Sequence, residues 1–200
     1  EISDNLEVGA RDPRAPIEVS TVTRALDALR ERGPDGQRHW LSPARDVALG
    51  HARLAVVDVA GGAQPLWNER GTVGAALNDE LYGADGLRTE LRARGHVLRT
   101  RCDAELLVHL YEDEGPSFTQ HLRGEYAFVL YDSERRVLLG ARDPDGVRPL
   151  YLATHGSRVM LASTARALFA AGLPAGWDES ALRMAAALQY PPPGRTLFEG

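Results

Sequence analysis

The residues able to do chemistry fall in three short stretches. "GHARLAVVD" (50–58) sets His51 and Arg53 ahead of an apolar run, and "LNDELYG" (77–83) sets Asn78, Asp79 and Glu80 directly after another. "TRCDAELLVHLYED" (100–113) opens an amphipathic segment with Cys102, Asp103 and Glu105. Each stretch has an ordinary structural explanation. An arginine at the end of a strand usually makes a surface ion pair, although its fixed fork of donors also suits a carboxylate. Asn and Asp after a strand are ordinarily turn formers, and Asp103 is explained as a helix cap. Taken together, they supply a guanidinium, a carboxamide and several carboxylates, a set that can clamp a zwitterionic amino acid at both ends.

Cys102 is the only cysteine. A helix N-terminus and the neighbouring Arg101 both favour a thiolate, but a nucleophile also needs a base within reach, and a lone cysteine is otherwise a small buried hydrophobe. It cannot form an internal disulfide. His39, His51, His96, His109, His121 and His155 are scattered without zinc-site spacing, so no metal is expected. A Gly-rich phosphate loop after a strand and a G-x-S-x-G elbow are both absent. All 23 basic residues are arginine, which excludes a lysine Schiff base within this chain. The net charge of −5 argues against nucleic-acid binding, where a basic face supplies most of the affinity. No apolar run approaches a membrane span, and the expected location is cytoplasmic.

These groups must be positioned by a fold, and 200 residues at 44% hydrophobic content suffice for one domain with a sizeable core. Val19, Val22, Leu26 and Leu29 are spaced for a helix over 17–32, closed by Gly33-Pro34-Asp35-Gly36. Short strands are predicted at 46–51, 54–59 and 73–77. A helix over 86–94 stops at Gly95. Asp103 is predicted to cap a stronger helix, on which Leu106, Leu107, Leu110 and Tyr111 share a face. "EYAFVLYDSERRVLLGARD" predicts a hairpin, 126–131 with 137–141, placing Tyr126, Phe128, Leu130, Leu138 and Ala141 between layers. "PLYLATHGSRVMLAS" predicts a second hairpin turning at His155-Gly156. Helices follow over 164–171 and, capped by Asp178, over 179–188. Strands and helices in blocks favour antiparallel sheets with packed helices over a doubly wound fold. "YPPPGR" (190–195) ends the domain taken as 1–190 and begins an exit linker over 191–200.

The order of the motifs carries more information than any one of them. "RGPDG" (32–36), "LGHARLAVVDVAGGAQPL" (49–66), "LNDELYG", "RTRCDAELLVHLYEDEG" (99–115), "LRGEYAFVLYDSERRVLLGARDPDGVRPLY" (122–151) and "LASTARAL" (161–168) follow in register. In this the chain resembles the class II glutamine amidotransferase domain of the asparagine synthetase family. The resemblance implies an α+β, four-layer αββα N-terminal-nucleophile hydrolase sandwich with two antiparallel sheets. It also implies roles. Arg53 matches the arginine that holds the glutamine α-carboxylate, and Asp103 the aspartate that receives the α-amino group. Asn78 matches the oxyanion-hole asparagine and Glu80 the glutamate of the same loop.

Two departures stand against glutaminase chemistry. The family's nucleophile is an N-terminal cysteine, where this sequence begins with Glu1 in "EISDNLEVGA"; no catalytic residue is therefore assigned, and the sequence is expected to be a fragment or trimmed. Asp79 stands where the family has a glycine whose N–H completes the oxyanion hole, which brings negative charge where donors are needed. Cys102 aligns with a small packing residue. The site expected by resemblance is thus Arg53, Asn78, Asp79, Glu80 and Asp103, around glutamine or another amino acid.

Three functional readings follow. The first is a degenerate glutaminase-like domain of an ATP-dependent amide-forming enzyme, as in the β-lactam synthetase relatives. The second is an active glutaminase whose cysteine terminus is missing from this sequence, and the third a non-catalytic docking module. The expected partner is an asparagine-synthetase-like domain or separate subunit holding ATP and Mg, with a homodimer as the assembly.

Overall fold

In a computed structural model of the chain, residues 6–55, 62–191 and 194–200 are described. The order is β1 (Leu6–Arg11), α1 (Val19–Asp27), β2 (Gly36–Leu41), β3 (Val47–Arg53), β4 (Leu66–Trp67), β5 (Val73–Leu81), α2 (Ala84–Ala93), α3 (Ala104–Glu114). There follow a 3-10 segment (Gly115–His121), β6 (Gly124–Asp132), β7 (Val137–Arg142), β8 (Tyr151–His155), β9 (Arg158–Ala162), α4 (Ala165–Ala170) and α5 (Glu179–Leu188).

Two antiparallel sheets, ordered β2-β3-β1-β9-β8 and β4-β5-β6-β7, form the middle of the molecule. Three cores account for the layers, because alternate residues of a strand point to opposite faces. On β1, Leu6, Val8 and Ala10 join Val22, Leu26, Ala167 and Leu168 beneath α1 and α4. On β5 and β6, Leu77, Phe128 and Leu130 pack with Leu91, Leu106, Leu107 and Tyr111 beneath α2 and α3. Between the sheets Val47, Leu49 and Leu161 meet Val129 and Tyr131, with the Trp40 and Trp67 rings packed at a tilt, centroids 4.6 Å apart, beside them. The result is the four-layer αββα sandwich that the resemblance implied. Close approach of the sheets demands Gly9: a Cβ there would lie 2.3 Å from Val129 Cγ1.

The central hairpin forms as predicted, Leu130 opposite Leu139 and Phe128 opposite Ala141. Its faces divide: Tyr126, Phe128, Leu130 and Ala141 face the α3 layer, whereas Leu138 joins the core between the sheets. Positions 138 and 141 are an odd number apart on one strand, so they cannot share a face. The strands β1 and β2 were missed. In "LEVGAR" a glutamate and an arginine alternate with apolar residues, and "GQRHWL" begins inside the predicted turn. The strand expected at 54–59 falls mostly outside the described residues. Asp178 caps α5 as predicted, accepting from Ser180 N and Ala181 N. Asp103 makes no cap to α3. Leu197–Gly200, within the segment read as an exit linker, pairs back on the domain through Leu197 O to Asp178 N and Gly200 O to Thr154 N.

Candidate functional site

β3 and β5 belong to different sheets, and their C-terminal ends meet at one end of the sandwich with the start of α3. β5 delivers Asn78 and Asp79 to opposite faces. Asn78 is fully buried and turned between the sheets, and neither its carboxamide oxygen nor its nitrogen has a hydrogen-bond partner among the described residues. A buried amide left unpaired costs free energy, which sets Asn78 apart from the satisfied polar groups around it. Its backbone is fixed from the side. The Gln64 amide acts as a short extra strand, donating from Nε2 to Leu77 O and accepting from Leu77 N at 3.1 and 2.6 Å.

Asp79 points the other way, toward α3, where its half-buried side chain hydrogen-bonds the carboxyl of Asp103. Burial first, then the charge and hydrogen bond of Asp103 and the charge of Glu80, hold Asp79 well above the usual carboxylate range; Arg148 opposes them. Two carboxylates that share a hydrogen bond cannot both be ionised, so one proton is retained. The partner Asp103 is already engaged, its Oδ1 accepting from Arg88 Nη2 of α2 at 2.5 Å. The same guanidinium donates to the carbonyls of Thr100 and Arg101. This is why Asp103 does not cap its helix. Glu105 secures the approach to α3 instead, accepting from Arg99 N, Thr100 N and Thr100 Oγ1 at 2.7–2.8 Å.

Arg53 lies at the end of β3, lining a 160 Å³ cavity with His51, Gln64 and the 35–38 strand end. His51 is buried, contacts the Leu77 backbone, and has no partner for Nε2 among the described residues. Burial and the charge of Arg53 push its imidazole down to about 3, so it is neutral at physiological pH. Opposite His51 on β1 sits Glu7, fully buried between the sheets, with neither carboxylate oxygen hydrogen-bonded among the described residues. Burial holds the Glu7 carboxyl well above its ordinary value, against lowering by Ser163, Arg148 and Arg32. Glu80 is exposed at the strand end.

The fold therefore brings Arg53, Asn78, Asp79 and Asp103 to one end of the sandwich, and Cys102 lies within electrostatic range of three of them. Its thiol is pushed up to about 12, by burial foremost and then by Asp79 and Asp103, against the opposing Ala104 N–H and Arg53. A thiol so held is not a nucleophile at neutral pH. Arg88, Gln64 and Glu7 were not singled out in the sequence. Only Glu7 carried a local signal, a charge between the apolar Leu6 and Val8 of β1.

A family model described as a glutamine amidotransferase domain matches residues 8–200. Among curated relatives, asparagine synthetase [glutamine-hydrolyzing] 3 of Bacillus subtilis is 39% identical over 155 residues, covering 76% of this chain and 25% of that protein. Asparagine synthetase B of Escherichia coli is 41% identical over 142 residues, covering 70% of this chain and 25% of its own length. Amidase chry2 of Gibberella zeae is 37% identical over 166 residues, covering 82% and 25%. This chain thus spans about a quarter of the length of these relatives. Among solved structures, glutamine phosphoribosylpyrophosphate amidotransferase from B. subtilis superposes with a TM-score of 0.71 at 23% identity, covering 84% of this chain and 43% of that one. The four layers and the family match over residues 8–200 agree, and the chain belongs to the class II glutamine amidotransferase domain of the asparagine synthetase family.

Proposed function

We propose that this domain keeps the frame of a glutamine site but not glutamine hydrolysis, and serves an asparagine-synthetase-like, ATP-dependent amide-forming enzyme. The observation that carries the reading is the Asp79–Asp103 carboxyl pair. The α-ammonium of glutamine needs an ionised, available carboxylate. Here Asp103 is held on one side by Arg88 and on the other by the Asp79 carboxyl. Asp79 thus interferes at the amine end of the pocket, rather than at the oxyanion end as its place in the sequence suggested. The partner in this reading is a synthetase domain or subunit carrying ATP and Mg, and the relatives named as amidases support a biosynthetic setting outside asparagine formation.

The carboxamide of Asn78, without a hydrogen-bond partner among the described residues, favours a second reading, a working glutaminase whose N-terminal cysteine is missing from this sequence. The two separate by glutamine affinity, because without an N-terminal thiol neither reading expects turnover from this chain. Ammonia release is measured from excess glutamine with the purified chain and calorimetric binding alongside. The expected result is no turnover and affinity no better than roughly millimolar, since each charge-assisted hydrogen bond contributes about 1.5–3 kcal/mol before ordering costs. Asp79→Gly should strengthen binding and Arg53→Ala should abolish it. Turnover by the parent, or turnover lost on Cys102→Ala, would overturn the proposal.

A further inference from the structure

Away from this site the fold assembles a cluster that the sequence left scattered. His96 lies just past α2, and His109 and Glu112 occupy one face of α3 at i and i+3. Glu69 comes from the turn after β4. The two imidazole centroids are 4.7 Å apart. One donor atom each from His96, His109 and Glu112 falls within 4.8 Å of the others. His109 Nδ1 is 3.0 Å from Glu112 Oε2 and 3.9 Å from Glu69 Oε2, and His96 Nδ1 is 3.9 Å from Glu112 Oε2.

We propose that His96, His109 and Glu112, with Glu69 as fourth donor, bind a divalent transition metal of the zinc type. A tetrahedral centre with bonds of about 2.0–2.2 Å separates its ligand atoms by roughly 3.4 Å. The separations of 3.0 and 3.9 Å bracket that value, and with all three of His96, His109 and Glu112 inside 4.8 Å, side-chain shifts of up to about an ångström complete the site. Two imidazoles and two carboxylates suit zinc over magnesium or calcium, which favour all-oxygen shells, and the two negative charges balance the ion.

The outer shell is already in place. Asp113 Oδ1 lies 3.0 Å from His96 Nε2, the carboxylate–imidazole pairing that orients a ligand through its other ring nitrogen. Asp113 Oδ2 is held by Arg94 Nη1 at 3.1 Å. Glu112 presents Oε2 to the cluster while Oε1 accepts from Asn68 Nδ2 at 2.7 Å. Asn68 in turn accepts from Thr72 N and Val73 N, so the β4–β5 turn is built around it. None of these residues belongs to the glutamine frame. A bound ion would pin α3, which carries Asp103 at its start, to the β4–β5 turn and to the exit of α2.

The test uses the whole chain after treatment with a chelator. Zn²⁺ is titrated calorimetrically, and Co²⁺ is added as an optical probe of coordination. The expected result is one ion per chain, with the strong visible absorption of four-coordinate Co²⁺ displaced by Zn²⁺. His96→Ala and Glu112→Gln should each weaken binding at least tenfold, and Asp113→Asn by about 10–100-fold. Glu112→Gln preserves side-chain shape and the bond to Asn68, so it stays informative if His96→Ala folds poorly. His39→Ala and His155→Ala should bind as the parent does. No saturable Zn²⁺ binding, or binding unchanged in His96→Ala and Glu112→Gln, would show an adventitious ion only and overturn the site.

Discussion

Replacing Asp79 with Asn tests the carboxyl pair without disturbing its shape. The amide can still donate a hydrogen bond to Asp103, but it has no proton to lose. In the native chain the folded state holds a proton on this pair that the unfolded chain releases in the ordinary carboxylate range, near about pH 3.9. Where the folded state binds more protons, stability falls as pH rises. The contribution is therefore fully present below the unfolded value and is lost on the way up through the raised folded value. One proton gives a slope of at most about 1.4 kcal/mol per pH unit, so two units of pH within that window separate parent from variant by up to about 3 kcal/mol. Glu7 contributes in the same direction through its burial, but equally in both proteins, so the difference isolates Asp79. Urea denaturation at intervals from pH 4 to 8 is the assay. Asp79→Asn should be similar to the parent at the acid end and increasingly the more stable as pH rises. Parallel stability curves would refute the shared proton, and with it the argument that Asp103 is occupied.

Two further outcomes follow from packing and burial. Gly9→Ala places a methyl 2.3 Å from Val129 Cγ1 and should cost roughly 1–3 kcal/mol by denaturant midpoint, with Val129→Ala in the same chain recovering part of the loss; an unperturbed single variant would mean that the sheets are not so close. With its thiol pushed up to about 12, Cys102 should react with iodoacetamide at pH 8 roughly a thousandfold more slowly than in the urea-unfolded chain, and a ratio under about ten would show an accessible thiolate.

Periodicity and punctuation in the sequence determined most of the local structure. The alternation through Tyr126–Asp132 and Val137–Arg142 specified a hairpin, and Asp178 ahead of Glu179 specified a helix start, because these depend on neighbours a few residues away. The order of motifs determined the family and the layered architecture. β1 escaped because its charged residues are placed by partners distant in the chain, β3 and β9, whereas β2 pairs with the next strand, β3, but is a largely exposed edge strand whose Gln37, Arg38 and His39 leave no apolar alternation to read.

The state of each functional group was decided only by the tertiary structure. Nothing local to "RCDAE" tells that Asp103 gives up its cap to Arg88, fifteen residues earlier, or that it shares a hydrogen bond with Asp79. Glu7 and His51 face each other because β1 and β3 run antiparallel in one register, and Asn78 and Asp79 part company because a strand sends neighbours to opposite faces. His96 and His109 meet only when α2 and α3 pack and the β4–β5 turn closes over them. Charge, protonation and ligand geometry depend on distances through space, and the chain sets those distances only once its layers have closed.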